Sequence, residues 1–439
     1  MNIIATDEDK VKALSKYVLF IFPFFIWAIE GVIFYFSPES KFIWQFTLLI
    51  NLIYLFKFSR CIPVFILFAF FLMYSFEPYN FFVNELYISY WMDFQSAYYL
   101  NKVSVISGLF FIMLGSFLFN ISEKNMVNIT YVRQPDKLLF LFTVVLFFIC
   151  THFGMSGDTV LTAGYGASER DKSPLFEYAM IFLILALFFS NDSKVHKVIA
   201  TLMVIFFSLK TVLYGGRIEV IQIVLAFMYF KTNFFRSWSL KKLYVSIILA
   251  FMLLLIVGRI RTNPLLIFGL IENPMVLFDF SPISKTGTVS SNYGDVQQSS
   301  ARMLGLVDTG FWGLEFRIKS SISYLFNLFL YGNELKHASN IALIDQDKFG
   351  TGGGGLIGSQ FYVWLSWLGP ILSGIFIGGI IRKGLKPNSK KVFFIYAFTL
   401  LITFPRWYAY GPLALVKFAL ITAILYCLLF GFSLFVRKK

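Results

Sequence analysis

Apolar runs of about 18 or more residues recur from one end of this chain to the other, and that feature restricts the fold more than any other. An α-helix rises about 1.5 Å per residue, so about 20 apolar residues carry it across a hydrocarbon layer about 30 Å thick. No water in that layer can satisfy a backbone N–H or C=O, which leaves helices and closed barrels as spanning structures. The runs here are continuous rather than alternating, so they predict helices. Charged residues make up only 14% of the 439, whereas 58% are hydrophobic and 20% aromatic. A soluble domain carries about a quarter charged residues. The fold class expected is therefore all-α, a polytopic transmembrane helical bundle. The first run, 17–36, follows Lys10, Lys12 and Lys16 as a signal peptide would. It is longer than the apolar core of such a peptide, and Ser37-Pro38-Glu39-Ser40 is no small-residue cleavage site, so it is expected to stay as the first span.

About twelve spans are predicted, at 17–36, 42–58, 61–76, 102–120, 137–153, 175–190, 195–213, 217–231, 242–260, 356–381, 391–405 and 412–436. This divides the chain into spans one to nine (1–258), a large extracytoplasmic loop (259–355) and spans ten to twelve (356–439). Threading with the amino terminus inside puts Lys57/Arg60, Lys124/Arg133/Lys137, Lys194/Lys197, Lys231/Arg236/Lys241/Lys242 and Arg382/Lys383/Lys386/Lys390/Lys391 in cytoplasmic segments. Both termini, with Lys10, Lys12, Lys16 and Arg437, Lys438, Lys439, come out cytoplasmic as well. The loop after the third span is instead acidic, with Glu77, Glu85 and Asp93. This asymmetry follows the positive-inside bias of membrane proteins. It accounts for the formal charge of +14 without a nucleic-acid partner. Cys61, Cys150 and Cys427 lie in or beside apolar runs with no pairing or metal-ligand spacing, and are expected to be small buried hydrophobes.

The segment 259–355 is too polar to span and too apolar in places for a tether. Residues 315–330 have partial helical amphipathicity, suited either to the outer leaflet or to packing inside an extracytoplasmic cap. No internal repeat is evident, which weighs against a transporter built from two similar halves.

Four arginines fall at one depth in this threading. Arg217 follows Tyr214-Gly215-Gly216 at the outer start of span eight, Arg259 and Arg261 end span nine, and Arg406 lies in Phe404-Pro405-Arg406-Trp407-Tyr408 at the outer end of span eleven. Each is unexpected on the outer side. A guanidinium is permanently charged and offers a planar fork matched to phosphate, so a ring of them would hold a di-anionic headgroup or stabilise a departing pyrophosphate. Arginines at span ends also snorkel singly to lipid phosphates. Gly-Gly and Pro beside Arg217 and Arg406 mark interrupted backbone, which is tolerated at membrane depth where it lines a cavity.

The run Gly352-Gly353-Gly354-Gly355 before span ten suits either a phosphate at a helix amino terminus or, more readily, a hinge. Glu30, Glu177 and Glu219 are the acidic residues within or near spans. A general base is available in the loop from Asp279, Asp295, Glu315 or His337; His337 has the best location, although a solvated surface histidine answers to the same description. No metal-ligand cluster is apparent, so no catalytic metal and no cofactor is expected. Tyr and Trp groups at outer ends, Tyr408 among them, fit the interfacial belt and also stack on sugar rings.

This combination resembles the O-antigen polymerase (Wzy-type) family of bacterial oligosaccharide repeat-unit polymerases. The residues that carry the resemblance are Tyr214-Gly215-Gly216-Arg217, the run Gly352–Gly355 continuing as Leu356-Ile357-Gly358-Ser359 to Leu368-Gly369-Pro370, and Phe404-Pro405-Arg406. The resemblance implies a GT-C-like, metal-independent glycosyltransferase of the bacterial inner membrane. It would take undecaprenyl-diphosphate-linked oligosaccharide as donor and acceptor, among membrane lipids, with a chain-length regulator as candidate protein partner. It implies charge relief on the leaving pyrophosphate by Arg217 and Arg406 with Arg259 or Arg261. The base would be His337 or a loop carboxylate, and substrate contacts would come from Tyr214, Gly215, Gly216, Gly353, Gly354 and Tyr408. The related O-antigen ligases carry a loop histidine followed by a fixed pattern that reaches a glycine; here Lys348 stands in that place after His337-Ala338-Ser339. A ligase and a lipid-linked oligosaccharide flippase are the competing readings.

Overall fold

The computed structural model of the chain describes residues 7–89, 94–122, 133–157, 159, 173, 175–214, 216, 218–231, 241, 244–245, 248–249, 292–326, 340–349, 354–412 and 414–437. These residues are helical wherever they are regular, and no strand forms among them. Among them, seven helices are long and apolar enough to cross a membrane, and four shorter apolar ones accompany them. The chain is a helical membrane protein. The predicted span 242–260 lies almost wholly outside the described residues.

The helices group into two compact units. The first comprises 1–126, 282–386 and 404–417. It contains α1 (Asp7–Phe36), α2 (Ile43–Lys57), α3 (Ile62–Phe76), the single turn α4 (Pro78–Phe82) and α5 (Ala97–Leu118). At its start α5 is capped by Ser96, whose hydroxyl accepts from the Tyr99 N–H. Helix α5 is the centre of this unit, packed by α1, α2 and several later helices. Its neighbours approach closely because small residues stand at the crossings. A Cβ on Gly115 would overlap the Tyr54 ring, and on Gly108 it would lie 3.1 Å from Glu30 Oε2. Glu30 is fully buried, and its Oε1 is 2.5 Å from the Thr47 hydroxyl, which also donates to Ser104 O. Phe68, Phe71, Phe110 and Phe111 fill the interior, with the Tyr408 ring centroid 4.1 Å from that of Phe71.

The second unit comprises 127–281, 387–403 and 418–439. It contains α6 (Lys137–Gly154), α7 (Leu175–Phe189), α8 (Lys194–Leu213) and α9 (Ile218–Lys231). Asp136 caps α6 by accepting from the N–H groups of Leu138 and Leu139, and it also takes a hydrogen bond from Ser433. Gln134 beside it accepts from Lys391 and Tyr426, and Arg133 pairs with Asp192 and donates to Phe230 O. These side chains tie the entry of α6 to the carboxy-terminal helices of the same unit.

The remaining helices of the first unit come from the second half of the chain: α10 (Asn292–Asp308), α11 (Leu314–Phe326), α12 (Ile341–Phe349), α13 (Ile357–Leu365) and α14 (Leu368–Leu385). Two further helices complete the chain. The first, α15 (Lys391–Ala409), passes from the second unit to the first after Thr403; α16 (Ala419–Arg437) follows a π-turn at Ala414–Phe418.

The single span predicted at 356–381 does not form. The segment is two antiparallel helices, α13 and α14, joined at Ser366-Trp367. Ser366 adopts φ 52°, in the left-handed region, and so ends α13. Gly369 then lets α14 turn back against the Phe361 carbonyl where a Cβ would clash. Arg317 of α11 holds the reversal by donating to Val363 O at 2.5 Å and to Ser366 Oγ at 2.7 Å. Apolar content alone does not reveal this reversal, because both arms are hydrophobic. Helix α14 then runs along α5 through Gly374 and Gly378, whose Cβ atoms would come within 2.7 Å of Met113 Cβ and 2.8 Å of Phe117 Cβ. This is the small-xxx-small contact through which membrane helices gain close van der Waals packing. Residues 315–330 are helical only as α11 over their described part, with Ser320 and Tyr324 buried and Leu314, Ile318, Ile322 and Leu325 exposed as an apolar stripe.

Gly374→Val should lower the detergent melting temperature of the purified protein by several degrees, because overpacking costs about 1–3 kcal/mol. Gly379→Ala, with its nearest neighbour atom 3.9 Å away, should leave the melt unchanged.

Candidate functional site

Helix α10 is polar by composition yet buried on every face from Val296 to Leu306. Asp295, Gln297, Gln298, Ser299, Ser300 and Arg302 follow one another along it, and all but Asp295 are 3% exposed or less. Gly294 and Gly305 make the burial sterically feasible, with Gly294 against the Ile88 carbonyl and Gly305 against the Phe94 ring. Buried polar groups are costly unless they find partners, and here most of them do. Asp295 accepts from Ser89 Oγ at 2.6 Å. Gln297 donates to Tyr74 O at 2.8 Å, and Ser300 accepts from the Leu356 N–H at 2.9 Å. The guanidinium of Arg302 lies 5.3 Å from the Phe349 ring centroid. At the end of the helix Asp308 receives Lys102 of α5, whose ammonium is 2.7 Å from both carboxylate oxygens. Gln297 Oε1, Ser299 Oγ, Ser359 Oγ and Gln360 Oε1 are buried and have no hydrogen-bond partner among the described residues. Unspent hydrogen-bonding capacity of this kind, gathered on α10 and the first turn of α13, is what a hydroxyl-rich ligand or ordered water would use.

Some of the residues singled out in the sequence also lie in the first unit. Gly354 and Gly355 are seated against the end of α15: the Gly355 N–H donates to Ala409 O at 2.8 Å, and a Cβ on Gly354 would lie 2.8 Å from the same oxygen. Arg406 is half-buried, and its carbonyl accepts from the N–H groups of Tyr410 and Gly411. The Tyr408 ring points into the aromatic interior against Phe71, Phe110 and Phe111. Tyr214 and Gly216 belong to the second unit, where the Tyr214 hydroxyl donates to Gly157 O at 3.0 Å and the Gly216 N–H donates to Thr211 O. Arg217, Arg259, Arg261, His337, Gly215 and Gly353 lie outside the described residues.

Lys102, Asp308, Arg302 and Arg317 escaped the sequence reading. The expected span starts at Lys102; the helix begins at Ala97, which puts that ammonium inside it. A lysine among apolar residues more than one turn past a helix start was the available signal. Nothing local identifies Asp308 as its partner.

No protein-family model matches the chain, and no curated protein or solved structure matches it either.

Burial holds the Asp295 carboxyl above the usual carboxylate range, with the Ser89 hydrogen bond acting in the opposite direction. A folded-state pKa above the unfolded one favours folding at low pH, and that contribution is lost as pH rises through the folded value. Asp295→Asn, which can still pair with Ser89, should therefore raise the melting temperature at pH 7. The gain should shrink as the pH is lowered toward 4, as read by thermal melts of the two proteins across that range.

Proposed function

We propose that this chain is a membrane glycosyltransferase of the O-antigen polymerase type. It would join undecaprenyl-diphosphate-linked oligosaccharide repeat units into a surface polysaccharide at the extracytoplasmic face of a bacterial inner membrane. The observation that carries the reading is the placement, in the positive-inside threading, of Arg217, Arg259, Arg261 and Arg406 at span ends on the basic-poor side. The polar helix α10, folded into a membrane unit from the long segment between apolar regions, adds support. A lipid-linked sugar polymerase needs a hydroxyl-binding surface of this character beside its membrane helices.

The donor is already activated as a diphosphate ester, so the reaction consumes no nucleotide. The protein has to align two lipid-tethered reactants, remove a proton from one acceptor hydroxyl and relieve charge on the departing pyrophosphate. In this reading Arg217 and Arg406, with Arg259 or Arg261, carry the last task. His337 or a loop carboxylate takes the proton. A single displacement at the anomeric carbon inverts its configuration.

Deletion of the gene in its native host should leave one repeat unit on the lipid anchor in gels of surface polysaccharide. Polymer retained on the carrier with a bare anchor would indicate a ligase, and a bare anchor without polymer a flippase. Arg406→Ala should cut polymer formation by about 100-fold or more while the protein still inserts, as expected for loss of one charge-stabilising donor. Polymer of full length from an Arg217→Ala/Arg406→Ala protein would remove the arginines from the mechanism.

A further inference from the structure

The Lys102–Asp308 pair is surrounded by aromatic rings. Lys102 is 5% exposed, and its ammonium lies 5.0 Å from the Tyr362 ring centroid and 6.0 Å from that of Tyr98. Tyr99 stands edge-on to Tyr98 at 4.9 Å, and Trp367 edge-on to Tyr362 at 5.4 Å. The enclosure is one-sided. The Asp308 side chain keeps 27% of its exposure and Trp367 keeps 39%, so the carboxylate and the indole are the exposed members of the group, joined through Lys102 and Tyr362. Three separate elements supply these groups: the start of α5, the end of α10 and the α13–α14 reversal.

Packing alone does not account for this arrangement. Two ions withdrawn from water cost several kcal/mol each before their attraction returns it, and an apolar pair of equal volume is commonly no less stable. An interfacial-belt aromatic needs only the lipid headgroup region beside it, not a bidentate ion pair behind it. The pair has no net charge, so it offers no preference for phosphate. Its carboxylate, fixed by the ammonium on one side, has lone pairs left to accept from hydroxyl groups on the other. The exposed Trp367 indole provides an apolar face for the C–H side of a pyranose.

We propose that Tyr99, Asp308 and Trp367, with Lys102 fixing the carboxylate and Tyr98 and Tyr362 enclosing its ammonium, form a subsite for one neutral sugar ring of an oligosaccharide. The subsite deepens the polymerase reading and rests on it for the identity of the sugar. Asp308 accepts hydrogen bonds from ring hydroxyls, and the exposed Trp367 indole covers an apolar ring face. Arg317, bonded to Val363 O and Ser366 Oγ, is a positioning residue that holds the reversal carrying Trp367.

The test uses the full chain in lipid nanodiscs and isothermal titration. One probe is the repeat oligosaccharide released by mild acid from the host's own surface polysaccharide; the other is inorganic pyrophosphate. The wild-type protein should bind the oligosaccharide saturably. Asp308→Asn and Trp367→Ala should each weaken that binding about tenfold or more, the scale of one lost hydrogen bond to a charged group, and leave the pyrophosphate isotherm unchanged. If Asp308→Asn does not fold, Trp367→Ala and Tyr99→Leu, at the open edge, decide the matter. A wild-type protein that ignores the oligosaccharide overturns the subsite, as does wild-type affinity in Trp367→Ala. Polymer that persists after gene deletion would overturn the polymerase reading alone, since the titration needs no polymerisation.

Discussion

The first unit depends on how closely other helices can approach α5. A membrane offers helices no hydrophobic reward for meeting one another, because lipid tails are as apolar as leucine. Contact must come from fit. Gly108 and Gly115 on α5, and Gly374 and Gly378 on α14, remove the side chains that would hold the backbones apart. The approach of α14 fixes where the α13–α14 reversal stands, and α13 in turn forms one wall around α10. A bulkier side chain at any of these glycines would push these helices apart and forfeit that close packing.

Within this frame α10 has the opposite character. Its side chains would be at home in water, yet they are enclosed by α3, α5, α12 and α13. Three polar side chains tie α10 to different neighbours: Gln297 to α3, Ser300 to the start of α13, Asp308 to α5. The polar groups therefore specify how the helix is seated, at some cost in stability, which is the usual trade for buried polar contacts. Those left over are available for chemistry.

Much of the architecture was legible in the amino-acid order. The apolar runs at 43–57, 137–154 and 194–213 appear as helices within a residue or two of where they were expected. Ser96, Asp136 and Ser193 mark helix starts by a local rule, a short polar side chain reaching the next turn's N–H. The site was far less legible. Tyr408, noticed for its place in an aromatic belt, has its ring in the aromatic interior, a choice made by Phe71, Phe110 and Phe111. Segment 292–308 looked like part of a loop because its polarity excludes a span, and polarity gives no indication that other helices will enclose it.

By itself the sequence determined the helical, apolar character of this protein and the position of several of its helices. Apolar runs of this length are suited to a bilayer, and a backbone in a bilayer must satisfy its own hydrogen bonds. Tertiary structure alone decided that an apolar stretch turns back at Ser366, that a polar helix is buried, and that Lys102 meets Asp308 across 206 positions. Helix formation is written in neighbours three or four residues apart. A reversal, a burial or an ion pair is decided by whichever distant surface the chain finally packs against.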